Sequence, residues 1–422
     1  MTIVSALLAP AKRFSVRDRR ILTLMALAQF VISYSGSLIS TTLPFARKAL
    51  VITEGEMGLI FGITRVVSLG AIAFALYGDR IGRRRPFLLA FLIVPVASLA
   101  TAVFPGVVLF TALQAVTRVG VVAASAMAVV LLAEELTPGL RGYGIGVWAM
   151  AGAMGGGASL LLLPLAERGV NAWRFLFALS AVGIFAFPLL ARYLRESQAY
   201  TEPEYHVPLS AVLGEGHGQY LWTMGALAFF LTAFAAPATD FALERIIEDL
   251  EWSTGSAVAL VVIASGLGTL GLLLGGRLAD TLGRRPTEIV ALLTGLAGGL
   301  LFYFGETGLF LAVGLFLGIL GATALTPAFG AHRAELFPTR LRATAGGWVT
   351  NAAILGSVAG FGISSVLIDR IGLSSTIGFL GIGVLIAVVM VLPLPETKGR
   401  DLTKPFSSTK HPGQRHDQPS GS

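Results

Sequence analysis

Twelve stretches of about twenty mostly apolar residues recur along the chain, and no other feature restricts its folding so tightly. A run of that length, rising about 1.5 Å per residue, crosses the roughly 30 Å hydrocarbon core of a bilayer as one helix. The first six lie at roughly 21–43, 57–77, 86–105, 107–132, 143–165 and 174–193; the second six lie at 220–243, 256–276, 287–304, 309–331, 344–367 and 373–394. In lipid every backbone N–H and C=O needs a partner within the protein, so such runs are predicted to be helices. The expected fold class is therefore an all-α membrane protein. Composition agrees. The chain is 55% hydrophobic and 13% charged, with a mean hydropathy of +0.78. Soluble domains carry about a quarter charged residues. The 51 glycines suit membrane helices, whose backbones approach each other at small residues.

Basic residues set the orientation. Of the 31 Lys and Arg, 23 fall in one alternating set of segments: the N-terminal stretch, the even-numbered loops and the tail. Six fall in the other loops (Arg47, Lys48, Arg168, Arg174, Arg245, Arg370), and Arg65 and Arg118 lie inside helices. Basic residues stay on the cytoplasmic side of a membrane, so both termini are expected there, in the cell (inner) membrane. The net charge of +7 is thus a sign of orientation and not of nucleic-acid binding. The domain reading is a cytoplasmic N-terminal segment at 1–20, a six-helix bundle at 21–194, a cytoplasmic linker at 195–219, a second bundle at 220–394 and a polar tail at 395–422 too poor in apolar residues to fold.

The two bundles repeat each other at an offset of about 200 residues. Asp79-Arg80-Ile81-Gly82-Arg83-Arg84 follows the second helix, and Asp280-Thr281-Leu282-Gly283-Arg284-Arg285 follows the eighth. Glu135-Leu136-Thr137-Pro138 ends the fourth, and Glu335-Leu336-Phe337-Pro338 ends the tenth. Arg195-Glu196-Ser197 follows the sixth, and Pro395-Glu396-Thr397 follows the twelfth. Parallel repeats of six helices are related by an axis along the membrane normal, with a path for solute between them.

The paired Asp-x-x-Gly-Arg-Arg segments resemble the signature of the major facilitator superfamily over residues of about 12–400. Glu335-Leu336-Phe337-Pro338-Thr339-x-x-Arg342, Pro395-Glu396-Thr397-Lys398-Gly399 and Trp173-Arg174 are similar to its sugar-porter and metabolite–proton symporter branch. Several residues depart from that pattern. Ala75 stands where the first signature has glycine, the seventh helix lacks paired glutamines, and the first helix carries no acidic residue. The resemblance implies a transporter with a cavity between two six-helix halves.

Charges cluster at the cytoplasmic helix ends: Asp79, Arg84, Glu135, Arg141 and Glu196 in the first half, and Asp280, Arg285, Glu335, Arg342 and Glu396 in the second. Opposite charges recurring at one offset are expected to pair across helices and to act as a cytoplasmic gate, closed in one state and open in another. Glu134 is an alternative to Glu135, because the Glu-to-Arg spacing differs between the halves.

Inside the membrane, Arg118 lies near the middle of the fourth helix, and Gln114 is one turn away. Arg65 lies in the second helix; Gln29, Ser33, Ser37 and Ser40 form a polar stripe on the first. Asn351 and Asp240 stand out in the second half, with Asp240 near the outer end of its helix. A central arginine normally faces a cavity or a partner, and a guanidinium fork suits carboxylate or phosphate. The candidate substrate residues are therefore Arg118, Gln114, Gln29, Ser33, Arg65 and Asn351, with Asp240 for proton coupling. His332 and Tyr303 are expected to be structural.

These features predict secondary active transport of a small organic solute, a carboxylate or other organic anion, by alternating access with proton coupling. Drug or amphiphile efflux and sugar transport are the alternatives. No enzyme is expected, because the external loops are too short for a catalytic cluster. With no cysteine and five scattered histidines, no metal site or cofactor is expected. The expected partners are a small molecule, the bilayer and protons, for a chain acting as a monomer.

Overall fold

The computed structural model describes residues 14–71, 73–74, 77, 82–137, 140–194, 218–337 and 339–398. The chain is almost wholly helical there. The first half contains α1 (Val16–Thr41), α2 (Leu43–Leu50), α3 (Glu54–Ser68), α4 (Arg84–Val103), α5 (Val107–Glu135), α6 (Arg141–Leu161), α7 (Trp173–Leu179) and α8 (Val182–Tyr193). The second contains α9 (Gly218–Asp240), α10 (Thr254–Gly268), α11 (Gly271–Thr281), α12 (Arg284–Phe304), α13 (Gly308–Leu336), α14 (Thr339–Ile371) and α15 (Leu373–Val391). Helices α7 and α8 continue as one span, and so do α10 and α11. Among the described residues, 11 spans are long and apolar enough to cross a membrane. The remaining predicted segment, 57–77, begins as α3; much of its other end, with Asp79, lies outside the described residues. So do 195–217 and 399–422, which hold Glu196, most of the predicted linker and most of the tail.

Local chemistry starts the helices where the apolar runs begin. Ser15 and Asp18 cap α1 reciprocally: Asp18 N donates to Ser15 Oγ (3.1 Å) and Ser15 N to Asp18 Oδ2 (3.0 Å). Thr53 and Glu56 do the same for α3. The internal repeat is visible in the packing. Helix α1 packs on α6 as α9 packs on α14, and α4 packs on α5 as α12 packs on α13.

The described chain begins beside the end of α5 and finishes beside the start of α12, at one end of the bundle, the termini side; the opposite end is the far side. On the far side, buried residues of the two halves merge into one core, from Tyr34, Phe61 and Trp173 to Phe241, Phe361 and Leu373. On the termini side the core splits in two. One part is built from first-half residues such as Met25, Phe87 and Leu132, the other from second-half residues such as Met224, Phe337 and Leu341. The far side is therefore sealed and the halves part towards the termini.

The seal is made chiefly by α3 on α14. Gly58 permits it: a Cβ there would lie 2.9 Å from Ser365 N, closer than real side chains approach a backbone atom. Phe61 stacks on Phe361 at 4.9 Å between centroids. Asp369 at the end of α14 accepts from Thr53 Oγ1 (3.0 Å) and Gly55 N (3.1 Å). Beside it, Arg47 Nε bonds Glu244 Oε1 at 2.5 Å and Lys48 Nζ meets Glu248 Oε2 at 2.7 Å, both across the halves.

Candidate functional site

A cavity of about 640 Å³ lies between the halves beneath this seal. That volume is within the range of small-molecule sites, about 300–1,000 Å³. Helices α1, α3, α5 and α6 form one wall and α9, α10, α12 and α13 the other. Ser33, Ser37, Ser40, Arg65, Arg118 and Asp240 all line it.

Arg65 and Asp240 form its roof. Arg65 Nη2 donates to Asp240 Oδ2 at 2.9 Å, and Ser40 Oγ donates to Asp240 Oδ1 at 2.9 Å. The Arg65 guanidinium also lies over the Phe361 ring, 5.7 Å from its centroid. Arg65 is thus neutralised by a carboxylate of the other half. Asp240 is the last residue of α9, yet its side chain is only 12% exposed. The acid that balances Arg65 comes from 175 residues further along the chain.

Arg118 is different. It reaches the cavity from the middle of α5 and meets no hydrogen-bond acceptor or carboxylate among the described residues; its Nε is shut off from water without a partner. Arg65 and Asp240 lie near enough to act on it electrostatically. A guanidinium within the bilayer is costly, so it normally faces a partner or a water-filled cavity.

Other predicted residues fall elsewhere. Gln114 is 3% exposed and turns towards α4, donating from Nε2 to Thr101 Oγ1 at 2.9 Å. Spacing put it on the Arg118 stripe but could not tell which neighbour that stripe meets. Gln29 donates to Ser33 Oγ at 3.0 Å and is packed against Gly152, so it supports the wall without lining it. Asn351 is outside the lining. Tyr303 lines the cavity, its hydroxyl donating to Ala238 O at 2.7 Å. His332 is buried, with Nδ1 3.0 Å from Glu288 Oε1 and Nε2 3.0 Å from Pro395 O.

At the termini side the charge clusters pair within each half. Arg284, not Arg285, meets the acids: it reaches Glu335 at 2.8 Å and Asp280 Oδ1 at 2.8 Å. Arg285 instead donates to Leu392 O at the end of α15. Its counterpart Arg84 likewise donates to Leu194 O (2.7 Å) and Ala191 O (2.5 Å) beyond and within α8. Glu396 accepts from the backbone N of Arg284 (2.9 Å) and Arg285 (3.1 Å). In the first half Arg83 lies 3.8 Å from Glu134, and Glu135 bonds Arg17. By partner, Glu134 is therefore the counterpart of Glu335. The side chains of Arg141 and Arg342 lie outside the described residues.

Sequence reasoning did not single out Glu244 and Glu248. Glu244 is fully buried. Burial pushes its carboxyl up to about 7 from the ordinary 4.5, against the pull of Arg47. The only signal was the presence of acids and bases in two far-side loops, one from each half.

Two pseudo-symmetric helical halves, sealed at one end around a central cavity with charged walls, define an integral multi-pass membrane transporter. The chain belongs to the Major Facilitator Superfamily, whose model matches residues 25–304 and 221–414. It is similar to a probable 4-methylmuconolactone transporter of Cupriavidus pinatubonensis, 25% identical over 386 residues that cover 87% of this chain and 88% of the relative. Among solved structures it is similar in fold to a bacterial homologue of the human lysosomal transporter Spinster in an inward-facing, unoccupied conformation: TM-score 0.74, 15% identity, 90% of this chain and 97% of that one. A D-xylose–proton symporter matches with TM-score 0.72 and 17% identity, covering 91% and 99%.

Proposed function

We propose that this chain moves a small organic anion across the cell (inner) membrane by proton-coupled alternating access, with both termini in the cytoplasm. On this reading the termini side is cytoplasmic and the structure is the inward-open state of a monomer. Its two halves, 21–194 and 220–394, act as rigid bodies. The observation that carries the reading is Arg118, a cavity-lining guanidinium without a partner among the described residues. A carboxylate would complete it with a two-pronged, charge-assisted bond. The relative named for 4-methylmuconolactone, a small organic solute, supports the size class.

Arg65–Asp240 supplies the coupling. It joins the halves only while the far side is closed, so protonating Asp240 would free Arg65 and loosen that seal. The termini-side clusters, paired within halves here, would exchange partners across the halves when that side closes. Asp280 is the group best placed to do so, because its side chain is 75% exposed. Sugar transport fits less well, since the second-half wall offers few free hydrogen-bonding groups.

The test is binding of monocarboxylates to purified protein by calorimetry. Arg118→Ala should abolish binding, while Arg118→Lys, which keeps charge and loses the fork, should recover part of it. Unchanged affinity in folded Arg118→Ala protein would overturn the cavity role.

A further inference from the structure

The second-half wall of the cavity carries four polar side chains, Thr239, Asp240, Ser265 and Tyr303. Three are engaged. Asp240 accepts from Arg65 and Ser40. Thr239 Oγ1 donates to Ala235 O at 2.8 Å, and Tyr303 OH to Ala238 O at 2.7 Å. Ser265, on α10, makes no side-chain hydrogen bond among the described residues. A hydroxyl on a membrane helix usually bonds a carbonyl of its own helix, because a bare one in the bilayer is costly. One turn on, Thr269 Oγ1 does so, donating to Gly266 O at 2.6 Å. Ser265 and Arg118 are also level with each other. Ser265 lies eleven residues past Thr254, the far-side start of α10, and Arg118 lies eleven residues past Val107, the far-side start of α5. At about 1.5 Å per residue each is about 16 Å in, near the middle of the bilayer, on opposite walls of one cavity.

We propose that Ser265 is the substrate's anchor on the second half. The substrate is then a monocarboxylate with one uncharged oxygen, a ketone or a hydroxyl, which Ser265 meets while Arg118 holds the carboxylate. This rests on the anion reading above and sharpens it. Charge sets the valence. Arg65, Arg118 and Asp240 together carry one surplus positive charge, which one carboxylate cancels. A serine hydroxyl donates to a ketone or accepts from a hydroxyl, so either oxygen suits it. The pairing also gives the ligand a hold on both halves. A solute bound by Arg118 alone moves with the first half and gains little from closure of the termini side. A second hydrogen bond across the cavity favours the arrangement in which the halves are together, and a ligand shifts an equilibrium only by such a difference. An apolar tail offers no such bond and leaves the hydroxyl bare.

The experiment is calorimetric binding to the full-length protein in detergent of three pairs of acids that differ by one oxygen: butyrate and acetoacetate, valerate and levulinate, benzoate and para-hydroxybenzoate. In at least one pair the oxygenated acid should bind about fivefold tighter than its parent. Ser265→Ala should erase or reverse that advantage, because the oxygen then loses its water without gaining a partner. The parent acid should stay within about twofold of its wild-type affinity, which shows that the Arg118 end of the site is intact. If no oxygenated acid outbinds its parent, or the advantage survives Ser265→Ala, the Ser265 assignment is overturned and the anion reading survives. If no carboxylate binds the wild-type protein, the anion reading falls and this assignment with it.

Discussion

Glu244→Gln is the sharpest perturbation of the far-side seal. In the sealed state Glu244 is fully buried. Its Oε1 meets Arg47 and its Oε2 is buried without a partner. Glu54, Glu248, Asp249 and Lys48 are the other charges around it. Burial raises its carboxyl to about 7, whereas with the far side open and hydrated it would return to the ordinary 4.5. A raised value means that the sealed state holds the proton more tightly. Its contribution to sealing is complete below about 4.5 and is lost as pH rises through about 7. The full effect is about 3 kcal/mol at 1.36 kcal/mol per pH unit, of which the part between about pH 6 and about pH 8 changes the sealed-to-open ratio about tenfold. Glu54, also raised by burial, acts in the same direction. Through Glu244 and Glu54, sealing the far side takes up protons, opposite in sign to protonation of Asp240; if that side is external, outside acid acting on these two groups drives the protein towards the inward-open state. Glutamine mimics the protonated acid. The assay is spin-label distance measurement between Val51 and Ile371, both exposed far-side positions in opposite halves. Wild type should open as pH rises through about 7, and Glu244→Gln should stay sealed with most of the pH response gone. An unaltered pH response in Glu244→Gln would refute the reasoning.

Three further outcomes are expected. Cysteines placed at Gly106 and Gly308 should label with impermeant reagent from outside intact cells while one at Pro86 should not; the reverse pattern would invert the orientation. Gly58→Val, by forcing side chain into Ser365, should hold α3 off α14 and leave the far side open, seen as labelling of a cysteine at Thr64; a cavity still protected from outside would count against the seal as drawn. Arg284→Ala should cost about 3–5 kcal/mol of stability because it removes the cationic partner of buried Glu335 and leaves its charge to the Thr397 hydroxyl, whereas Asp280→Asn, removing a largely exposed partner, should cost about 1 kcal/mol or less yet impair transport; equal melting temperatures for the two variants would contradict this division.

The helices were legible because their apolar length is set by the bilayer, and the two halves because motifs recurred at one spacing. Arg118 was legible because an intramembrane charge is rare. The remainder depended on contacts that spacing cannot encode. Arg65 and Asp240 lie on helices of different halves, and only the closed seal brings them together. Gln114 shares a helical stripe with Arg118 but meets α4 at its depth. The termini-side arginines were misread by one position: in each half two adjacent arginines divide the work, one turning to acids and the other to carbonyls at a helix end. Glu244 was not singled out because nothing local marks a loop that another half will cover.

Transport itself is the most direct measurement. Purified protein in liposomes, given labelled levulinate and an inward proton gradient, should accumulate it above equilibrium, lose accumulation when the gradient is collapsed, and show none in Arg118→Ala. Accumulation by Arg118→Ala at the wild-type rate, or wild-type liposomes that exclude carboxylates while accumulating a neutral or cationic solute, would contradict a cavity built around an unpaired guanidinium.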